Sequence, residues 1–353
     1  MTMLAATAAA PAPVPARAPA PAAALQAGPN SAQVSAGASS PCCPPSVALE
    51  VLHETRYDYG APVAHAHHAA HLQPLQDAAQ TLEAFDLRIE PAPAPAQCVA
   101  EVDAFGNARH RFELTTPHQV LLVRSTSRVT VAARFSALQP EKSPAWEQVR
   151  ERLRYVAHGA FEPAVEFVQP SPYVPWHEPA LAGLRNWAAE SLTPGRPVAQ
   201  AALELMQRLH SQWMYRPRST GVDTPLATAF EQRAGVCQDF AHLLICAWRL
   251  WGLPARYVSG YLLTEPAAGE PVLVGADASH AWVQLWCPGT PGVGDDGWLD
   301  LDPTNNLVPA TGHVRVAVGR DFGDVTPLRG VIRGGGVHTL SVGVTTRRWT
   351  PAR

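Results

Sequence analysis

Between Val47 and Phe135 apolar and polar residues alternate; from Pro179 to Trp251 the apolar positions recur at helical spacing; after Pro254 alternation returns. Period two marks strands with one buried face, and a period near 3.6 marks amphipathic helices. Strands are therefore expected over "VALEVLHETRYDYG", "LEAFDLRIEP" and "QVLLVRSTSRVTVAARF". "AEVDAFGNARHRFEL" predicts a hairpin turning at Phe105-Gly106-Asn107, where glycine and asparagine tolerate positive φ. Residues 47–136 thus form an expected antiparallel β domain, closed by "SALQPEKSP" as a linker.

The second part, 137–353, opens with helices. "EPALAGLRNWAAESL" and "PVAQAALELMQRLHSQWMY" carry the helical period, with Leu203, Met206, Leu209 and Trp213 on one face. Thr224-Pro225 reads as a helix start running to Arg233, and the next helix spans about Cys237–Trp251 before Gly252 and Pro254 end it. Its buried stripe is Phe240, Leu244, Ala247, Trp248 and Trp251. "ARYVSGYLL", "HAWVQLWC" and "GWLDLD" follow as strands, and His313–Trp349 adds two or three more. Helices first and strands after give an α+β class.

Residues 1–46 break both periods. They are Ala/Pro-rich, with the first basic residue at Arg17 and prolines at 11 and 13 interrupting the apolar run, so a disordered tail is expected rather than an export signal. The formal charge of −3 gives no electrostatic case for nucleic acid or an anionic membrane, and no stretch is long enough to span a bilayer. The six cysteines, Cys42, Cys43, Cys98, Cys237, Cys246 and Cys287, make neither a CxxC pair nor a dense framework. Free thiols in a reducing, cytoplasmic setting are expected.

Candidate chemistry starts at "RAGVCQDFAH". Cys237 sits where a loop becomes a helix and precedes Phe240 and Leu244 by three and seven positions, so its side chain shares the buried stripe. The positive end of a helix favours a thiolate, and the free N–H groups there can hold an oxyanion. A thiolate nucleophile calls for a histidine, and the strand "SHAWVQLW" offers His280. A third group must fix its tautomer, and "GWLDLDPTNN" offers Asp300 and Asp302. If 280–286 and 298–302 pair as an antiparallel hairpin centred near Pro291, Asp302 faces His280 and Asp300 faces Trp282.

"TPLATAFEQRAGVCQDFAHLLICAWRLWGLPARYVSGYL", "DASHAWVQLW" and "GWLDLDPTNN" resemble the bacterial transglutaminase-like superfamily. "TRYDYGAPV", "LQPLQ" and "DAFGNARHRFEL", with "VGRDFGDVTPLRGV" later, resemble the β domain and the closing segment of one branch. The resemblance covers nearly everything from Val47 to about Val344. It implies a papain-like core and a triad of Cys237 as nucleophile, His280 as base and acid, and Asp302 as orienting carboxylate. The expected activity is acyl transfer on a peptide or isopeptide amide through a thioester, with hydrolysis favoured. The alternatives are protein-glutamine crosslinking and a non-catalytic peptide-binding module, which the intact triad disfavours. The expected partner is a peptide or protein substrate, with no cofactor. The resemblance names neither the substrate nor the oligomeric state.

Other residues invite blander readings. In "HAHHAAH", His65 and His67 share one strand face and His68 the other, with no cysteine or carboxylate pattern alongside, so packing or surface histidines are expected and no metal. Cys237, His242 and Cys246 spread around their helix rather than gathering as zinc ligands. Cys246 reads as core, Cys287 as incidental, and Trp282, Trp286 and Trp298 as core or cleft wall. Trp213 or Tyr215 as an oxyanion contributor finds no support in spacing alone. Arg320 and Asp321 read as an ion pair beside the cleft.

Overall fold

The first sheet is built on one strand that outruns its neighbours. In this computed structural model, which describes residues 45–263 and 279–350 and the backbone of a short strand β1 (Thr2–Leu4), strand β2 runs from Ser46 to Ala70. Around it lie β3 (Gln80–Glu90), β4 (Cys98–Val102), β5 (Ala108–Leu114) and β6 (His118–Ala132). The β2–β6 register breaks between Asp58 and Val63, where Gly60 and Pro62 interrupt the ladder. The first half of β2 pairs with β6, and the second half with β5. The hairpin turn falls where expected, with Gly106 at φ 85°.

The second part begins with α1 (Trp146–Glu151), α2 (Ala182–Ala189) and α3 (Val198–Gln212). Strand β7 (Met214–Tyr215), helix α4 (Leu226–Gln232), strand β8 (Ala234–Gly235) and helix α5 (Cys237–Arg249) follow. A four-stranded antiparallel sheet comprises β9 (Ala255–Leu262), β10 (Ser279–Trp286), β11 (Trp298–Leu301) and β12 (His313–Gly319), in the order β11-β10-β9-β12. After the short helix α6 (Phe322–Val325), strands β13 (Leu328–Gly334) and β14 (His338–Arg348) end the described chain. Among the described residues no helix is long and apolar enough to cross a membrane.

Three expectations need correction. Strands β13 and β14 do not extend the second unit; both pair with β2, so 137–353 is not one structural unit. The long β2 exposes two free edges that only returning strands can cover. Helix α5 is buried on all sides from Asp239 to Arg249, not along one stripe, because α2, α3 and α4 pack opposite β9 and β10. The expected tail at 1–46, with Cys42 and Cys43, lies outside the described residues except at its ends. There, Thr2–Leu4 pairs with β13 and Ser46 already belongs to β2.

The first sheet docks on the edge of the second. Asn107, at the hairpin turn and fully buried, donates through Nδ2 to Val318 O (2.7 Å) and accepts from Val318 N (2.8 Å). Gln80 does the same for Arg315, donating to its carbonyl at 2.7 Å and accepting from its N–H at 2.8 Å. Beneath these pairs Phe105 and Leu75 pack on Val258, Trp282 and Val318. Strand β12 is an edge whose polar groups would otherwise meet water, and two side-chain amides replace a fifth strand.

Candidate active site

Helix α5 starts at Cys237 because its first turn is capped from within. The Asp239 carboxylate accepts from Val236 N (2.8 Å) and from Thr220 Oγ (2.6 Å). A carboxylate in the first turn complements the helix dipole. Gly235 is required there, since a Cβ would lie 2.5 Å from Asp239 Oδ2. Cys237 itself is half-buried. Cys246, two and a half turns on, is fully buried, and burial pushes its thiol up to about 12; Cys287 is likewise buried.

Strand β10 carries His280, whose cross-strand partner is Gly260 on β9. A Cβ at Gly260 would meet Val314 O at 2.1 Å and the Trp282 ring at 2.4 Å. Glycine therefore leaves room for the indole on which His280 stacks, with ring centroids 6.2 Å apart. His280 Nε2 donates to Asp302 Oδ2 at 2.9 Å. Its other nitrogen is left for Cys237, whose side chain also hydrogen-bonds the ring. Burial opposes charge on this imidazole, but the bonds to Asp302 and Cys237 outweigh it and push the pKa up to about 10.

Asp302 is fully buried just beyond β11. Its Oδ1 accepts from Thr304 N (3.0 Å) and Asn305 N (3.1 Å). Its Oδ2 accepts from His280, from Asn305 Nδ2 (2.7 Å) and from His313 Nε2 (3.1 Å). Burial alone would raise this carboxyl; the histidine and asparagine donors hold it well below the usual carboxylate range. The predicted register is off by two residues, which keeps the same face. Val283 faces Leu301 and Gln284 faces Asp300, so Asp302 reaches His280 diagonally past the end of the ladder. Asp300 is spent elsewhere, accepting from Gln284 Nε2 and from Trp282 Nε1 (3.4 Å). Gln284 in turn accepts from Arg256 Nε at 2.6 Å.

The structure thus brings Cys237, His280 and Asp302 together. Asn305 and His313 were not singled out from the sequence. Asn305 stands in the same "DPTNN" run, whereas His313 opens a distant strand and carries no local signal. Trp213 is buried against Trp187 and Phe230. Tyr215, on β7, lies beside Gly235, two residues before Cys237. Arg320 pairs with Asp324 (2.8 Å), not with Asp321. Asp321 instead caps α6 through Gly323 N (2.8 Å) and accepts from Tyr173 N (2.8 Å). His242 is buried between Tyr173 and Tyr257 and accepts from Phe322 N, and desolvation lowers its pKa to about 3.

Two clusters among the described residues bring three ligand-type atoms together. In His280, Asp302 and His313 both Nε2–H groups point at one carboxylate oxygen, so protons account for the spacing without a cation. The other is His65, His67 and Glu113 on β2 and β5.

The description "Bacterial transglutaminase-like N-terminal region" matches residues 49–130, and "Transglutaminase-like superfamily" matches residues 185–303. An uncharacterized protein of Mycobacterium tuberculosis is 36% identical over 290 residues, covering 80% of this chain and 86% of that one. This chain belongs to the transglutaminase-like superfamily. The transglutaminase-like region also matches the protein-glutamine gamma-glutamyltransferase of Pseudomonas aeruginosa, 35% identical over 117 residues, 32% of this chain and 17% of that one. A crystal structure from Cytophaga hutchinsonii superposes with TM-score 0.63 at 20% identity, covering 88% of this chain and 93% of that one. The fold is α+β: a transglutaminase-like, papain-like core preceded by an antiparallel β domain.

Proposed function

We propose that this chain is a transglutaminase-like cysteine amidase or peptidase, cleaving peptide or isopeptide amides through a Cys237 thioester. The observation that carries the reading is His280, held between Cys237 on one side and Asp302 on the other, with its pKa pushed up to about 10. Such an imidazolium keeps a proton in store at neutral pH beside a sulfur that can attack as thiolate.

The steps follow from that pairing. The Cys237 sulfur adds to the substrate carbonyl carbon, and the carbonyl oxygen takes the negative charge. The N–H groups of Cys237 and Gln238 lie ahead of the first bonds of α5, which Asp239 N and Phe240 N make to Val236 O. They are the donors proposed for that oxyanion. The intermediate collapses, the C–N bond breaks, and His280 delivers its proton to the departing amine. Water then adds to the thioester, giving its proton to His280 and releasing the acid and the thiolate. Asp302 keeps the ring oriented and its charge compensated throughout. Substrate is proposed to approach over β7, where Met214 (56%) and Tyr215 (44%) are exposed beside β8.

A primary amine in place of water would give a crosslink. The Pseudomonas relative's name favours that second reading, though over 117 residues only. The test is an acid-quenched reaction with peptide amides and glutamine peptides, with and without a primary amine. Peptide mapping then locates the acyl adduct, and product masses separate acid from amide. An adduct on Cys237 supports the proposal, and turnover with no such adduct sinks it.

A further inference from the structure

His65 and His67 stand two apart on β2 and so share one face of the sheet. Glu113 on β5 is the cross-strand partner of His67, which brings its side chain to the same face. This is the carboxylate that the local sequence around the histidines does not contain. His65 Nε2 lies 2.9 Å from His67 Nε2 and 2.9 Å from Glu113 Oε1, while His67 Nε2 is 3.9 Å from that oxygen.

Protons satisfy this arrangement poorly. Each ring nitrogen of a neutral imidazole carries either a hydrogen or a lone pair. If His67 donates to His65, the His65 lone pair faces a carboxylate oxygen at contact distance. If His65 donates to Glu113, the His67 lone pair must share the same hydrogen. A single cation bound by all three atoms removes the conflict. Bonds of 2.0–2.1 Å at tetrahedral angles place ligand atoms about 3.3 Å apart. The observed spacings of 2.9, 2.9 and 3.9 Å bracket that distance.

We propose that His65, His67 and Glu113 form a surface site for a borderline divalent transition metal, zinc being the type case, that clips β2 to β5. Two imidazoles and one carboxylate suit such ions better than magnesium or calcium, which prefer all-oxygen shells. The side chains are 39%, 60% and 32% exposed, so water completes the shell. Arg333, the cross-strand neighbour of His65 on β13, is a positive charge the ion must tolerate, whereas Arg111 is already paired with Glu101 at 2.9 Å. The site lies on the first sheet and does not depend on the proposed reaction.

The test is zinc binding by the full chain after chelator treatment, measured by calorimetry at neutral pH. Wild type is compared with a His65→Gln/His67→Gln double variant and with Glu113→Gln. Any zinc taken by the His280, Asp302 and His313 cluster or by Cys237 is common to all and subtracts out. The wild type should bind one equivalent more than the double variant. Zinc should raise its melting temperature by more than that of the double variant, and Glu113→Gln should weaken that equivalent at least tenfold. Melting without zinc checks that the exposed substitutions leave the fold intact. Equal stoichiometry in wild type and double variant would overturn the proposal, as would absence of zinc uptake by wild type.

Discussion

His280 and His313 donate to the same oxygen of Asp302, at 2.9 and 3.1 Å, from β10 and β12, the two strands that flank β9. One carboxylate oxygen is therefore shared between the histidine beside Cys237 and a second histidine that touches no other triad member by hydrogen bond in the described residues. His313 also packs edge-on against Trp282, at 5.2 Å, the ring on which His280 stacks. It is a positioning residue on this geometry. Its replacement by alanine should lower kcat about tenfold, the order of one charge-assisted hydrogen bond, with KM little changed. Steady-state kinetics check this; an unchanged kcat would remove His313 from the account.

Asp302 and Asp300 should separate sharply. Asp302→Asn should cost about 10⁴ in kcat, because the ring loses its anchored tautomer. Asp300→Asn should leave most activity and reduce stability through the Gln284 and Arg256 network it supports. Comparing kcat with the urea midpoint of each variant distinguishes the two roles. Similar kinetic losses in both variants would contradict the assignment.

That pair shows what the sequence carried and what it did not. Alternation put Asp300 and Asp302 on one face but could not choose between them, and the assumed hairpin centre put the register off by two residues. The eleven residues between β10 and β11 include four glycines, at 289, 292, 294 and 297, which let the turn be asymmetric. The identity of Cys237 and His280 was legible because each opens an element with strong periodicity. His313 was not, because its role depends on β12 lying beside β9, a pairing no local pattern encodes. The same applies to β13 and β14: their alternation announces strands, but nothing local says that their partner is β2, more than 250 residues earlier in sequence at every pair.

The docking of the first sheet should matter to stability. Asn107→Ala strips partners from both Val318 N and Val318 O in a buried place. An unsatisfied buried backbone group costs about 1–3 kcal/mol, so a loss of roughly 2–4 kcal/mol is expected. Urea unfolding measures it. A loss below about 0.5 kcal/mol would mean that the contact does not hold the two parts together.

Stability should fall as the solution is acidified below about pH 6.5, before the surface carboxylates titrate. Desolvation depresses His53 and His68 to about 4 and His242 to about 3. A depressed histidine is neutral in the fold yet takes up a proton once unfolded. Its stabilising effect is present above the unfolded pKa and lost as pH drops toward the folded one. His280 behaves oppositely: raised to about 10, it contributes fully below its unfolded pKa and loses that contribution as pH rises through 10. The melting temperature should therefore drop from pH 7 to 4 and again as pH rises from 7 to 10. A flat profile from 7 to 4 would contradict the buried, neutral assignment.

The central claim is that His280 arms Cys237, and the rate of Cys237 alkylation tests it most directly. Iodoacetamide labelling near neutral pH, resolved by peptide mapping, compares Cys237 with Cys98, which is also half-buried but has no histidine partner in the described residues. The account predicts that Cys237 reacts at least tenfold faster than Cys98, and that His280→Ala removes the difference. Equal rates in the native chain, or a fast Cys237 that His280→Ala leaves untouched, would contradict it.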